Sequence, residues 1–135
     1  AAATRGEVPI GCVLVATATG HVIATTGNRM EELTDPTAHA EMLAIREAVS
    51  QYKTPRLGEV DMYVTLEPCA MCAAAISLAR VRRLYFGAYD PKGGGVEHGG
   101  KFFSQPTCHH APEVYGGMEE TKCSLMLKAF FAEKR

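Results

Sequence analysis

The spacing of apolar residues in the first third of the chain predicts a β-hairpin followed by a helix. Residues 9–16 and 20–25 are runs of β-branched and other apolar side chains that meet around Gly20, a pattern typical of two strands and a turn. Residues 38–50 carry apolar side chains at helical spacing, and residues 35–37 offer a capping aspartate and a proline suited to a first helical turn. A helix is therefore expected from residue 38 onwards.

The middle of the chain continues with a strand, a helix and a further strand. Residues 61–66 form a short apolar run, and Pro68 is suited to open a helix that continues to residue 79. Residues 82–88 return to the strand pattern. Strands that alternate with helices predict an α/β fold whose later strands are joined by helical crossovers.

The remaining third divides into a long loop and an amphipathic helix. Residues 89–115 are rich in glycine and proline and exceed the usual length of connections in compact domains, and such loops tend to be functional. Residues 118–134 place Met118 and Leu125 on or near one face, which predicts a closing helix. Because no repeat or low-complexity linker divides the chain, residues 1–135 are expected to form one domain.

Composition and charge are those of a globular protein without an obvious nucleic-acid-binding surface. The chain has 135 residues, 47% of them hydrophobic, and a net charge of −1. No apolar run approaches the ~18 residues of a membrane helix, and no secretory signal is recognisable, so a soluble cytoplasmic protein without a membrane partner is expected. Residues 80–101 hold five basic residues against two acidic ones, a patch for which a solvated face is the ordinary interpretation.

The cysteines indicate metal binding or burial rather than disulfides. Their number is odd and no secretory signal accompanies them, which argues against a disulfide framework. Cys12 and Cys123 lie in apolar patterns and are most simply small buried hydrophobic residues. The five are Cys12, Cys69, Cys72, Cys108 and Cys123.

The strongest local motif is the pair Cys69 and Cys72, which follows Pro68. Side chains at i and i+3 on a helix face the same way, and the first helical turn favours thiolates through the helix dipole and its free N–H groups. Taken alone, the pair fits a thiol redox pair, half of a structural zinc site, or chance. A zinc site would need a further ligand from elsewhere in the chain.

His39 and Glu41 complete a rarer combination. Together with the proline and the cysteine pair they match the H-x-E…P-C-x-x-C signature of zinc nucleobase deaminases. One imidazole and two thiolates would leave a fourth zinc position for water, and a carboxylate that does not bind the metal could move protons. Residues two apart on a regular helix point roughly 200° from each other, so spacing alone does not bring His39 and Glu41 into one site.

With these motifs in view, the chain resembles the bacterial tRNA-specific adenosine deaminases of the cytidine deaminase superfamily over nearly its whole length. The blocks that carry the resemblance occur in family order: EVPIG at 7–11, GNR at 27–29, TAHAE at 37–41, YVTLEPCAMCA at 63–73 and FGAYDPK at 86–92.

This resemblance implies a fold, a reaction and a partner. The fold would be a cytidine-deaminase-like, three-layer α/β/α sandwich around a five-stranded mixed sheet, assembled as a homodimer. The reaction would be the hydrolytic deamination of adenosine to inosine at wobble position 34 of a tRNA, with the anticodon stem-loop as partner. One Zn²⁺ per chain would be held by His39, Cys69 and Cys72, and Glu41 would shuttle protons.

The resemblance also implies residues that bind the flipped target nucleotide. Asn28 matches a residue that hydrogen-bonds the nucleoside, Val8 and Leu66 match pocket walls, and Asp90 matches a contact to the neighbouring nucleotide. Because Lys92 lies beside Asp90, we expect it to contact a phosphate, with Arg82, Arg83 and Lys101 as further candidates.

Two departures from the family pattern affect these expectations. The family begins with an amphipathic helix where this chain has only residues 1–6, so we expect that the chain has been trimmed. Many members carry Asn before the last His of the loop at residues 105–110, whereas here His109 precedes His110. Cys108 and His109 could suggest a second metal site, although a loop contact is the commoner role of such a pair.

Two alternatives remain at this stage. The first is a free nucleobase or nucleoside deaminase acting on cytosine, guanine or cytidine with the same zinc chemistry; the block at 87–92 suits an oligonucleotide better. The second is a zinc-stabilised binding module without catalysis, but such a module has no need of Glu41.

Overall fold

A mixed β-sheet with helices packed on it organises the computed structural model, which describes residues 7–119. Within this range the strands have the order β2-β1-β3-β4-β5. The strands are β1 (Gly11–Ala16), β2 (Val22–Gly27), β3 (Val60–Leu66), β4 (Arg83–Ala88) and β5 (Glu113–Tyr115), and the helices are α1 (Met30–Leu33), α2 (Ala40–Tyr52) and α3 (Ala70–Ala79).

The strand pairing confirms the predicted hairpin and crossover. Strands β1 and β2 pair antiparallel, and Gly20 in their turn has a φ of +75°, a conformation that glycine adopts without strain. Strands β3 and β4 pair parallel and are joined by α3. Because β1 pairs antiparallel with β3, the sheet is mixed, as the family resemblance implied.

One face of the sheet forms the core against α2 and α3. Leu14, Met62 and Leu84 alternate with less buried neighbours along their strands and are fully buried. Ala44 on α2 and Ile76 on α3 are also fully buried, and the two helices contact each other. The small residues of α2 let the two helices lie close together, which brings their N-terminal ends near one another.

The opposite face carries a ladder of three tyrosines. Tyr63, Tyr85 and Tyr115 occupy paired positions on β3, β4 and β5, and their rings are stacked with centroid separations of 4.6 and 5.0 Å. Cross-strand aromatic pairs of this kind stabilise neighbouring strands and help to set their register.

The structure differs from the predicted elements at three places. Helix α2 begins at Ala40, because the Asp35 carboxylate accepts hydrogen bonds from the Thr37 N–H and hydroxyl in a local turn that precedes the helix. The short α1 was not predicted, and β5 lies within the stretch expected to be loop. The predicted C-terminal helix, apart from its first residues, lies outside the described residues, as do Cys123 and residues 1–6.

None of the helices described between residues 7 and 119 has the length and apolar character needed to cross a membrane.

Candidate metal centre

The two predicted metal-binding motifs meet where α2 and α3 begin. His39 is the residue before α2 and has an extended backbone with a ψ of 151°, and Cys69 precedes α3 in the same way with a ψ of 175°. Neither side chain caps its own helix, so both can turn towards the space between the helix starts. Cys72 lies within the first turn of α3 and is fully buried.

The distances among these three side chains fit a tetrahedral zinc ion. His39 Nδ1 lies 3.6 Å from Cys69 Sγ and 3.5 Å from Cys72 Sγ. Zinc bonds of about 2.0 Å to nitrogen and 2.3 Å to sulfur in a tetrahedron separate such ligand atoms by about 3.5 Å. All three ligand atoms lie within 4.8 Å of one another. The chain therefore presents an imidazole and two thiols ready to hold a zinc ion, with one coordination position left open.

The two thiols share their protons unequally in the metal-free protein. A hydrogen bond with Cys72 is the main cause that lowers the pKa of Cys69 to about 4, and His39 lowers it further. The same hydrogen bond, followed by burial, raises the pKa of Cys72. Zinc binds the thiolate form of cysteine, so metal binding would release the protons that the two thiols carry.

Glu41 lies beside this centre although helical spacing alone did not require it. The residue is 4% exposed in the first turn of α2, whereas His39 lies outside the helix on extended backbone, so the 200° separation does not apply to the pair. Burial is the main cause that raises the pKa of Glu41 from 4.5 to about 7. Cys12, buried on β1, faces the same carboxyl, and burial together with Glu41 raises its pKa.

The Asn28 turn is tied to the segment that leads into His39. Asn28 is 3% exposed, and its N–H donates to the Ile10 carbonyl at 3.0 Å. The next N–H, that of Arg29, donates to the Ala38 carbonyl at 3.0 Å. These backbone hydrogen bonds join the turn that carries Asn28, the predicted nucleoside-binding residue, to the segment that carries the metal ligand His39.

Glu7 was not singled out from the sequence, but its buried carboxylate supports the same turn. Its two oxygens accept the N–H groups of Glu31 at 3.1 Å and Glu32 at 2.7 Å, at the start of α1. Val8, the next residue, is half-buried, as is the other predicted pocket wall, Leu66, at the end of β3.

Glu67 follows β3 and is a second buried carboxylate that sequence analysis did not assign. Its side chain is fully excluded from solvent and faces the loop that begins at Asp90. Asp90 is half-buried, and its Oδ1 accepts the N–H groups of Lys92 and Gly93 at 3.2 and 3.0 Å. The only sequence signal for Glu67 is a charged residue between an apolar strand and Pro68, and that signal does not name its partners.

The fold separates the basic residues that lie together between positions 80 and 101 of the sequence. Lys92 is exposed on the turn that Asp90 organises. Arg83, by contrast, pairs with Glu113 at 3.1 Å at the amino end of β4, and exposed Arg82 precedes it. Five residue steps along a strand separate Arg83 from Ala88, roughly 17 Å. Arg82 and Arg83 therefore lie at the opposite end of β4 from the turn that carries Lys92.

The loop around Cys108 makes structural contacts rather than a second metal cluster. Cys108 Sγ lies 3.5 Å from the Ser77 hydroxyl, which donates to the His110 carbonyl at 2.6 Å. The His109 carbonyl accepts from Arg80 at 3.2 Å, and the His110 ring lies 2.9 Å from the Val81 carbonyl. Across residues 7–119, the cluster of metal-binding side chains that stands out is His39, Cys69 and Cys72.

Comparison with known proteins finds the same chemistry in relatives of this chain. Residues 1–88 match the family model of the cytidine and deoxycytidylate deaminase zinc-binding region. The tRNA-specific adenosine deaminase of Agrobacterium fabrum is 61% identical over 99% of this chain and 87% of its own length. That of Bacillus subtilis is 47% identical over 97% of this chain and 80% of its own length.

Solved structures agree with the sequence relatives. A solved structure from a study of A-to-I editing by tRNA:A34 deaminases at the wobble position superposes on this chain with a TM-score of 0.89 and is 61% identical in sequence. The match covers 93% of this chain and 89% of that one. A guanine deaminase from Nitrosomonas europaea has a TM-score of 0.79 at 22% identity over 96% of this chain and 76% of its own, so that it shares the fold.

Proposed function

Because the chain belongs to the tRNA-specific adenosine deaminases, within the cytidine and deoxycytidylate deaminase zinc-binding family, we propose that it deaminates adenosine to inosine at position 34 of a tRNA. It is a hydrolase that acts on a cyclic amidine C–N bond, and residues 1–135 form one deaminase domain. The observation that carries the proposal is the meeting of His39, Cys69 and Cys72 beside the buried Glu41.

The reaction adds water to C6 of the adenine ring and breaks the C6–N bond to release ammonia. His39, Cys69 and Cys72 would hold a zinc ion, which would supply hydroxide at neutral pH by lowering the pKa of water. The purine needs one proton on its ring nitrogen and the departing ammonia needs another. A Glu41 carboxyl with a pKa of about 7 can both accept and donate these protons near neutral pH.

The residues around the metal centre bind an adenosine that has been flipped out of the anticodon loop. Asn28 hydrogen-bonds the nucleoside, and Val8 and Leu66 form the walls of its pocket. Asp90 contacts the neighbouring nucleotide, and Lys92 neutralises a phosphate on the solvent side. Recognition of single-stranded loops uses such pockets as well as phosphate contacts, so a net charge of −1 does not oppose RNA binding.

The test compares substrates on zinc-loaded protein. Inosine formation is measured on an anticodon stem-loop with adenosine at position 34 and on free adenosine, and ammonia release on cytidine and guanine. We expect kcat/KM on the stem-loop to exceed that on free adenosine by roughly 100-fold or more, because binding energy from the rest of the loop is available only to the RNA. Preferred turnover of a free base or nucleoside would indicate a small-molecule deaminase. Zinc binding without turnover of any substrate would indicate a binding module.

A homodimer is part of the proposal, and the outer face of α3 supports it. Met71, Ala74 and Ala75 are only partly buried on this face, and Leu78 is 79% exposed. The face carries no charge and begins two residues after Cys69, so a second copy packed there would lie close to the metal centre. Sedimentation should give a dimer that Leu78→Glu dissociates, whereas Val22→Glu, at an exposed apolar residue on β2, should leave it intact.

We place the activity in the cytoplasm because its proposed substrate is a tRNA. Cell fractionation with detection of the native protein tests this location.

A further inference from the structure

The Glu67 carboxylate is a buried acceptor for five hydrogen bonds. Its Oε2 accepts three successive backbone N–H groups, from Val96 at 3.1 Å, Glu97 at 2.8 Å and His98 at 3.1 Å. Its Oε1 accepts the Asp90 N–H at 3.0 Å and faces Nδ1 of the His98 ring at 2.8 Å. Each oxygen therefore has at least two donors, and the side chain has little capacity left for other partners.

These contacts span both ends of one segment, residues 90–98, which we call the substrate loop. The Asp90 N–H lies at its beginning and the His98 N–H at its end, so one carboxylate closes the loop upon itself. Within the substrate loop the Gly94 N–H donates to the Asp90 carbonyl at 2.9 Å. Val96 is 6% exposed and packs in the hydrophobic core, and this packing holds the loop against the rest of the domain.

The same loop rests on the first turn of α3. The Gly95 N–H donates to the Pro68 carbonyl at 2.8 Å. A Cβ on Gly95 would lie 2.6 Å from the Ala70 nitrogen, so that only glycine allows this approach. Glu67 precedes this turn and its N–H donates to the Ala88 carbonyl at 2.8 Å. The substrate loop contacts the first turn of α3, and the buried Glu67 side chain lies next to both.

We propose that Glu67 is a positioning residue that holds the substrate loop against the start of α3, so that Asp90 is oriented towards the nucleotide beside the target adenosine. This inference rests on the proposed function, because it assigns Asp90 a nucleotide contact. All five hydrogen bonds to the Glu67 oxygens described above come from residues of the substrate loop. It acts through the loop, since its oxygens are occupied by N–H donors.

Glu67→Gln changes this arrangement with little change in shape. One oxygen of the amide can still accept the three N–H groups of residues 96–98. The NH₂ group then faces the Asp90 N–H, and two donors repel each other. The substitution should therefore loosen the Asp90 end of the loop more than the far end, because a buried donor left without an acceptor is unfavourable.

The main test is a double-mutant cycle with the anticodon stem-loop as substrate. We expect Glu67→Gln to raise KM roughly 10-fold, with kcat within about 3-fold of wild type and zinc near one equivalent. The reason is that the weakened Asp90 contact stabilises the bound substrate and the transition state about equally. In an Asp90→Ala background the same substitution should change KM by less than about 2-fold, because both act through one contact. A full 10-fold effect in that background, or a fall in kcat and zinc content at unchanged KM, would overturn the inference.

Glycine variants test the packing of the loop while Glu67 itself keeps its carboxylate. A Cβ on Gly94 would lie 2.6 Å from the Asp90 carbonyl and would also collide with Glu67, whereas a Cβ on Gly100 meets nothing within 4 Å. Gly94→Ala should raise KM for the stem-loop as Glu67→Gln does, and the matched control Gly100→Ala should not. Equal KM values for the two alanine variants would contradict the proposed role of the loop. This comparison remains available if Glu67→Gln fails to fold.

Hydrogen exchange gives a readout that is independent of turnover. Glu67→Gln should make the amide of Asp90 exchange faster in the zinc-loaded protein while the amides of β3 remain protected. Unchanged exchange at Asp90 would overturn the inference.

If wild-type protein turns over the stem-loop and Glu67→Gln has the wild-type KM, the inference fails and the proposed function stands. If wild-type protein turns over only small molecules, the proposed function fails, and with it the nucleotide contact assigned to Asp90.

Discussion

Two buried glutamates lie within two residues of a metal ligand in the sequence, and their surroundings give them opposite properties. Glu41 follows His39 by two residues, and Glu67 precedes Cys69 by two. Burial raises the pKa of Glu41 to about 7, because its own N–H, His39 and Cys72 do not offset the loss of water. Burial also acts to raise the pKa of Glu67, but the donors led by Asp90 and His98 outweigh it, so that this pKa is lowered.

Burial alone therefore does not set the pKa of a carboxyl group, because hydrogen-bond donors around it can outweigh the loss of water, as they do at Glu67 and not at Glu41. A carboxyl with a pKa near 7 serves as acid and base at neutral pH. A carboxylate held by several N–H donors stays ionised and serves to fix the backbone that donates to it. The same residue type therefore supplies the proposed proton carrier at one helix start and the proposed loop anchor at the other.

The largest expected effect comes from removing the metal ligands that follow Glu67 and flank Glu41 in the sequence. Cys69→Ala or Cys72→Ala should abolish turnover and zinc binding, because two remaining ligands bind zinc poorly. Metal analysis and inosine formation measure this. Cys108→Ala is the matched control, since Cys108 contacts Ser77 and should keep both metal and activity. Full zinc content in either ligand variant would mean that the wrong thiol had been assigned.

The next effect separates proton transfer from metal binding at Glu41. Glu41→Gln should reduce kcat at least ~100-fold, the usual scale for loss of a positioned acid or base, while zinc stays near one equivalent. Single-turnover assays together with metal analysis measure both quantities. Loss of zinc from this variant would assign Glu41 to the metal and remove the contrast with Glu67.

The pH dependence of folding should have opposite signs at the two glutamates. In metal-free protein the Glu41 pKa rises from 4.5 to about 7, so the folded state binds the extra proton and stability falls as pH rises between these values, by about 3 kcal/mol. The lowered pKa of Glu67 stabilises the protein above pH ~4.5, and this stability is lost as pH falls through the folded-state pKa.

Urea unfolding from pH 3 to pH 8 tests this contrast. Glu41→Gln should flatten the decline in the free energy of unfolding between pH 4.5 and about 7, relative to wild type. Glu67→Gln should instead remove the increase in the free energy of unfolding that wild-type protein shows at lower pH as the pH rises. The same pH profile for both variants would show that the two sites do not differ as the structure indicates.

The smallest effect concerns the solvent side of the substrate loop. Lys92→Ala should raise KM for the stem-loop about 3-fold with unchanged zinc and kcat, and should lower the salt dependence of binding by about one released counterion. Arg82→Ala, at the far end of β4, should leave both quantities unchanged. Equal effects of the two substitutions would mean that the cations act only through long-range attraction.

Much of the fold was predictable because its signals are local. Alternation along residues 9–16 and 61–66 and helical spacing along residues 38–50 predicted the strands and the helix to within two or three residues. The short strand β5 was missed because Glu113–Tyr115 has too few residues to form a pattern, and it is held by pairing with β4. The start of α2 was misplaced because a local Asp35 turn competes with the helix.

The side chains available for chemistry follow from the sequence alone: an imidazole, two thiols one helical turn apart, and a carboxylate. How these side chains meet depends on the packing of distant segments. Glu41 lies at the centre because His39 sits on extended backbone before α2, and the sulfurs reach His39 across 30 and 33 residues. The partners of Glu67 lie 23 to 31 residues away, and the strand direction moves Arg83 to the opposite end of the sheet. Such contacts depend on chain packing between distant segments, which periodicity within one segment does not encode.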